Sequence, residues 1–196
     1  MASADNLPKR LQEAVTALNN GDMPRAMAAA SSAMALDPEN PDCHLILASV
    51  HHNKGDEAQA EHHYIESLRL NPKQPRALIN LGMLKLNSGH VDAAIATLKT
   101  VLEIDAGSHE ARHLLGRAYG MAGKYSLSAQ QFERLLKTSG RNVEIIQGYA
   151  KALTGLKKYD EALKALKRAD ALNPGHPMIA NEIAQVRAAM GQEKLS

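Results

Sequence analysis

The chain has 196 residues, of which 44% are apolar and 22% charged, a balance typical of folded proteins and not of disordered ones. One Phe and no Trp leave Ala, Leu, Ile and Met to fill the core, and no segment alternates as a strand does, so the composition favours an all-α fold. A single cysteine excludes an internal disulfide, and no stretch approaches the roughly 18 to 20 apolar residues of a membrane span.

Charge is distributed unevenly along the chain. Residues 1–108 carry 9 Lys and Arg against 13 Asp and Glu, whereas residues 109–196 carry 14 against 8. No long basic run interleaved with aromatic residues is present, so we expect no nucleic-acid binding. Residues 1–10 lack the apolar core of a signal peptide. We therefore expect a cytoplasmic protein that makes no contact with a membrane.

A repeat of 34 residues organises most of the chain. Two kinds of turn residue return at this interval. Gly closes the last turn of a helix and Pro cannot continue one, so each marks the end of a helix. Each repeat is therefore predicted to be a helix, a tight turn, a second helix and a loop. The recurring glycines are Gly21, Gly55, Gly89 and Gly123, and the recurring phrases are Leu36-Asp37-Pro38, Leu70-Asn71-Pro72, Ile104-Asp105-Ala106 and Leu172-Asn173-Pro174.

In chain order, the pattern predicts a disordered N-terminus, five repeats, a capping helix and a frayed tail. The capping helix begins with a proline and continues with apolar residues at helical spacing. The predicted bounds are 1–6 for the N-terminus, 7–40, 41–74, 75–108, 109–142 and 143–176 for the repeats, 177–190 for the capping helix and 191–196 for the tail.

The repeated residues resemble the tetratricopeptide repeat (TPR) family. Its Leu-Gly or Leu-Ala pair appears as Leu47-Ala48, Leu81-Gly82 and Leu115-Gly116. The small residue at the crossing of the two helices, and the large residue of the next layer, also recur. The small residues are Ala26, Ala60, Ala94, Ser128 and Ala162, and the large ones are Tyr64, Leu98, Phe132 and Leu166. The resemblance implies a right-handed α-solenoid of helix-turn-helix repeats that acts as a protein-protein interaction scaffold.

The same resemblance implies where a partner would bind, because the first helices of TPR repeats line a concave groove. We expect this groove to receive a peptide or helix of another protein, with apolar anchors toward repeats 1 to 3 and an acidic group near Arg117 and Lys151. Alternatively, some of Leu11, Leu45, Ile46 and Ile79 pack between repeats, or the groove is buried against a second copy of the chain. The residues expected to face the groove are Leu45, Ser49, His52, Ile79, Asn80, Met83, Leu86, His113, Arg117, Gln147 and Lys151.

Histidines concentrated in the second repeat raise the question of a metal site. The register sends His51 into the helix pair, His52 toward the groove, and His62 and His63 to the outer face, so we expect no metal site. No phosphate loop, nucleophile elbow or HExxH motif is present. We therefore expect no cofactor and no enzymatic activity of the chain alone. Two alternatives stay open: a regulatory or substrate-presenting region of a larger enzyme such as a transferase, and a self-associating assembly factor.

Overall fold

The computed structural model describes residues 6–193, in which there are eleven α-helices and no strand. The predicted all-α class, built from helix-turn-helix repeats, is confirmed. Residues 1–5 of the predicted N-terminus lie outside the described part, and Asn6 is the N-cap of the first helix. The helices are α1 (Leu7–Asn19), α2 (Met23–Leu36), α3 (Pro41–Asn53), α4 (Glu57–Leu70), α5 (Pro75–Asn87), α6 (Val91–Ile104), α7 (His109–Met121), α8 (Tyr125–Thr138), α9 (Val143–Gly155), α10 (Tyr159–Leu172) and α11 (Pro177–Glu193).

The described helices fall into two compact units, the first made of residues 6–90 and 103–106 and the second of residues 91–102 and 107–193. In unit 1, each of the helices α1 to α4 packs against the helix that follows it, and α3 also contacts α1 and α5. In unit 2, the same holds from α7 to α11, and α7 also contacts α9. Within each unit the first helices of successive repeats therefore lie side by side.

The turn between the two helices of a repeat depends on the left-handed backbone conformation. Gly21, Gly55, Gly89 and Gly123 have φ between 69° and 78°, values that suit glycine because it has no Cβ. The fifth repeat has Lys157 at this place, with φ 61°. The turn is therefore formed without glycine, at the cost of a conformation that L-residues rarely adopt.

Aspartate side chains cap the N-termini of two second helices, α2 and α4. The side chains of Asp22 and Asp56 accept hydrogen bonds from the backbone N–H groups of Arg25 and Gln59, at 3.1 and 3.3 Å. These bonds satisfy donors that the first turn of a helix leaves free. These two aspartates therefore have a structural role as helix caps.

Small residues at the helix crossings let the large residues of the next layer form the cores. Ala26, Ala60 and Ala162 are fully buried, and Ser128 is 2% exposed. Tyr64 in unit 1 and Phe132 in unit 2 are each buried from the side of the second helix. Tyr64 contacts residues of α3 and α5, and Phe132 lines a cavity together with residues of α7 and α9.

Helix α11 extends from Pro177 to Glu193, three residues beyond the predicted end of the capping helix. Ile179 and Val186 are buried on it, as their helical spacing predicts. Residues 191–193 of the predicted tail therefore belong to α11, and residues 194–196 lie outside the described part. Among the described residues, none of the helices is sufficiently long and apolar to cross a membrane.

Candidate functional site

The first helices of unit 1 surround an open cavity of about 290 Å³. Its walls come from α1, α3 and α5, and we call this surface the unit-1 groove. Leu11, Val15 and Leu18 of α1 are only half-buried there, while Asp42 and Arg76 are exposed at its edge. The groove therefore combines an aliphatic wall with a charged rim. Its lining residues are Pro8, Leu11, Gln12, Val15, Leu18, Asn19, Asp42, Leu45, Ile46, Ser49, Arg76 and Asn80.

Tyr64 of α4 connects three of the residues that were expected to face the groove. Its buried hydroxyl hydrogen-bonds with the side chains of Ser49 and Asn80, and its ring meets the ring of His52 edge-on at 6.4 Å between centroids. Burial raises the pKa of Tyr64, and these two hydrogen bonds oppose that rise. Tyr64 on α4 therefore contacts Ser49 and His52 of α3 and Asn80 of α5.

Several of the predicted groove residues are buried instead of exposed. Leu45 and Ile79 are 8% exposed, and Leu86 is 2% exposed. For Leu45 and Ile79, their burial agrees with the alternative of packing between repeats, although Leu45 also lines the cavity; Leu86 was not among the residues of that alternative. Met83 of α5 is half-buried and remains available for contact. The aliphatic character of the unit-1 groove thus depends more on α1 than the sequence suggested.

In unit 2, helices α7, α8 and α9 surround a second cavity, of about 370 Å³. We call it the glycine pocket, because three of its lining residues are glycines within helices. Its other walls include the rings of Phe132 and Tyr125, and Met121, Arg117 and Lys151 are exposed around it. The lining residues are Gly116, Arg117, Gly120, Met121, Tyr125, Ser128, Phe132, Gly148, Lys151 and Ala152.

Glu182 of α11 already engages two of the predicted groove residues. Its carboxylate accepts a hydrogen bond from Gln147 at 2.8 Å and lies 3.1 Å from the ammonium group of Lys151. Arg117, in contrast, is exposed and forms no hydrogen bond or ion pair with any residue between 6 and 193. Of the two cations expected to receive a partner's acidic group, Arg117 is therefore the one that forms no ion pair with a carboxylate in the described part of the chain.

His113 lies at the side of the same surface. Its ring meets that of Phe132 edge-on at 5.7 Å, and its Nε2 lies 3.5 Å from Glu144. Burial lowers the pKa of His113, Glu144 raises it, and the charge of Arg117 lowers it again. The net decrease favours the neutral imidazole, so His113 contributes a packing and hydrogen-bonding group and not a positive charge near neutral pH.

Four histidines of the second repeat come together between α3 and α4. The Nδ1 atoms of His44 and His63 lie 3.1 Å apart, and the rings of His51 and His62 lie 5.6 and 5.3 Å from that of His63. The expectation that His63 lies on the outer face is therefore wrong, because its ring is half-buried among the others. Burial, and then the charges that His44, His62 and His51 carry when protonated, lower the pKa of His63 to about 4.

This histidine cluster offers little coordination chemistry. Within the described part of the chain, no group of three or more His, Cys, Asp or Glu side chains could hold a metal ion. Burial raises the pKa of the Cys43 thiol to about 11, which disfavours the thiolate that would act as nucleophile or ligand. These side chains therefore supply neither an activated nucleophile nor a set of metal ligands.

Comparison with known families decides the identity of the repeat. Models described as "Tetratricopeptide repeat" match residues 11–75 and 54–118, and a model described as "Anaphase-promoting complex, cyclosome, subunit 3" matches residues 87–169. The chain belongs to the tetratricopeptide repeat family. The TPR fold is a protein-interaction scaffold, and this coarse function follows from membership.

Two sequence relatives show how far similarity to this TPR chain extends. The type IV pilus assembly protein PilF of Pseudomonas aeruginosa is 28% identical over 116 residues, which are 58% of the chain and 46% of that protein. The human protein O-mannosyl-transferase TMTC1 is 33% identical over 86 residues, which are 44% of the chain and 10% of that protein. The chain thus spans less than half the length of either relative.

Solved structures share the fold of this TPR chain. A tetratricopeptide repeat protein from Parabacteroides merdae has a TM-score of 0.82 at 20% identity, over 96% of the chain and 75% of that protein. YrrB, described as a TPR protein with an unusual peptide-binding site, has a TM-score of 0.78 at 18% identity, over 90% of both chains. At these identities the likeness concerns the fold.

Sequence reasoning missed four residues that shape these surfaces. Tyr64 and Phe132 were assigned only to the core layer, Glu182 was given no role, and Gly148 was not noticed. The available signal was Gly148 itself, since the residue 34 positions earlier is Leu114. A glycine that replaces a large residue at one repeat position indicates that a neighbouring side chain, here Phe132, packs against the helix backbone.

Proposed function

We propose that this TPR chain binds a peptide or helical segment of another protein on the first helices of its repeats. The observation that carries the proposal is the unit-1 groove, where half-buried aliphatic side chains of α1 line an open cavity. Apolar side chains left partly uncovered in a concave surface are typical of sites that bury a partner's apolar residues. The chain would thus act as a scaffold without catalytic activity.

The charged residues at the edges of the two cavities agree with the acidic group expected in the partner. Arg76 and Asp42 lie on the rim of the unit-1 groove, and Arg117 and Lys151 lie on the rim of the glycine pocket. Exposed rim charges speed association and select partners of the opposite charge. An acidic group of the partner would match Arg76 at the unit-1 groove, and Arg117 at the glycine pocket.

Affinity capture with a groove variant tests this function. Met83→Glu places a charge on the half-buried groove position of α5, while Ala58→Glu adds the same charge at an exposed position of α4. We expect a partner that is retained by the wild type and by Ala58→Glu but lost by Met83→Glu. Equal retention by all three proteins, with unchanged circular dichroism, would show that the first helices do not bind the partner.

Self-association is the second candidate function. It is favoured by large apolar side chains that remain exposed, among them Met121, Tyr125 and Leu127 around the start of α8. Sedimentation velocity at several concentrations separates the two functions, because a second copy in the groove requires a concentration-dependent dimer. A chain that stays monomeric at all concentrations excludes this candidate.

A regulatory or substrate-presenting role within a larger enzyme is the third candidate. The similarity to a transferase over 86 residues favours it, and that match covers 10% of the transferase. A natural reading frame that continues into a catalytic domain would support this role. A frame that contains only the repeats would contradict it.

A further inference from the structure

We propose that the glycine pocket of unit 2 binds an aromatic side chain of the partner segment, and that Arg117 pairs with an Asp or Glu side chain adjoining that aromatic residue. This inference rests on the proposed function and gives the partner a chemical signature.

Two glycines that line the pocket stand where the preceding repeat carries a large residue. The positions 34 residues before Gly120 and Gly148 are Leu86 and Leu114, both buried leucines. Without these side chains, α7 and α9 leave a cavity of about 370 Å³ above the second helix α8. At Gly120 the space that Leu86 occupies in the preceding repeat is therefore open, whereas the ring of Phe132 fills the space beside Gly148.

The two glycines differ in what the surrounding structure demands. A Cβ at Gly148 would lie 2.5 Å from the ring of Phe132, so packing alone excludes a side chain there. A Cβ at Gly120 would meet only the Ser128 hydroxyl, at 3.5 Å, which is an ordinary contact. Glycine in a helix costs up to about 1 kcal/mol relative to alanine. No contact within the described chain requires Gly120, and an inserted side chain from a partner would account for the glycine.

The walls of the pocket favour an aromatic occupant. Phe132 forms the floor and Tyr125, which is 37% exposed, forms one side. Aromatic rings pair edge-to-face or offset with such neighbours. Met121, 55% exposed at the edge, supplies a flexible apolar contact that adapts to the shape of a ring.

The positive charges at the edge of the glycine pocket favour an acidic residue next to the partner's aromatic side chain. Arg117 lies in the lining, is exposed and has no acidic partner among residues 6–193. A guanidinium binds a carboxylate through two parallel hydrogen bonds and also stacks on an aromatic face. Lys151, whose ammonium is shared with Glu182, adds positive potential to the same rim. A carboxylate beside the aromatic residue thus matches both cations.

Selection from a random peptide library displayed on phage, with the full chain as bait, tests this inference. Enriched peptides are expected to contain Phe, Tyr or Trp next to Asp or Glu. Their affinity is expected to fall about tenfold or more with Gly120→Leu, which restores the leucine of the preceding repeat, and with Arg117→Glu. The control Gln130→Leu, at an exposed position of α8, is expected to leave the affinity unchanged.

The possible outcomes separate failure of this inference from failure of the proposed function on which it rests. Peptides without the aromatic and acidic pair, or with undiminished affinity for both pocket variants, overturn the inference; if Met83→Glu abolishes their binding, the proposed function survives. Failure to enrich any peptide contradicts both. A synthetic peptide that binds only with a free C-terminus, and not as the amide, would show that the carboxylate is terminal and would also overturn it. Arg117→Glu, on the surface, decides the question if Gly120→Leu does not fold.

Discussion

Replacing Gly148 by alanine should destabilise unit 2, although alanine is the better helix former. The added Cβ would lie 2.5 Å from two ring carbons of Phe132, a distance at which the ring must move. Phe132 is 2% exposed and packs with Leu135 and Ile145, so it has little room. Overpacking of this kind costs about 1–3 kcal/mol, whereas the helix preference returns about 1 kcal/mol or less. We expect a net loss of about 1–2 kcal/mol of unfolding free energy.

Gly120→Ala is the matched control for this prediction. Gly120 lines the same pocket, but its added Cβ would meet only Ser128 Oγ, at 3.5 Å. This variant should be neutral or more stable by up to about 1 kcal/mol. Urea denaturation followed by circular dichroism measures both variants under the same conditions. If Gly148→Ala is as stable as Gly120→Ala, the close packing of Phe132 against α9 is refuted.

Three further changes test other parts of the structure. Because the pKa of His63 falls from 6.5 to about 4 on folding, stability should be intact above pH 6.5 and decrease as the pH falls toward 4, by about 1–2 kcal/mol after allowance for solvent screening of a half-buried ring. Lys157→Gly should raise the melting temperature, since it removes about 1 kcal/mol of left-handed strain. Gln74→Ala should cost about 1–2 kcal/mol, because the Gln74 amide bonds both Ser67 and Asp42.

Each of these three predictions has a result that would contradict it. A His63→Gln variant that loses as much stability between pH 6.5 and 4 as the wild type would remove His63 as the cause. An unchanged or lower melting temperature of Lys157→Gly would mean that contacts of the lysine outweigh its backbone strain. Stability of Gln74→Ala equal to that of the wild type would show that the buried amide contributes no net hydrogen bonding.

The repeat architecture was accessible from sequence because its signals are local. Gly55 and Gly123 close their helices with positive φ as predicted, and the interval of 34 residues aligns the fifth repeat well enough to identify Lys157 as the substitute. Turn residues report the backbone conformation of their own position. Agreement between such signals over successive repeats defines the fold without knowledge of any side-chain contact.

The details of the surfaces were less accessible, because they depend on side chains that meet across helices. Glu182 reaches Gln147 from 35 positions away, and His63 joins His44 across 19 positions. The sequence register assigns a side chain to a face of its helix, but rotamers and neighbours decide whether it is exposed. Leu86 illustrates this limit, since its register position suggested the groove and its side chain is buried.

Site-specific photo-crosslinking tests most directly the claim that the first helices hold the partner. A photoreactive amino acid at Met83, which is half-buried on α5 and which the sequence register assigns to the groove, is compared with one at Ala58, exposed on α4, in the presence of the captured partner. We predict crosslinks to one segment of the partner from position 83 and none from position 58. Crosslinks from position 58 alone would place the partner on the second helices and contradict the account.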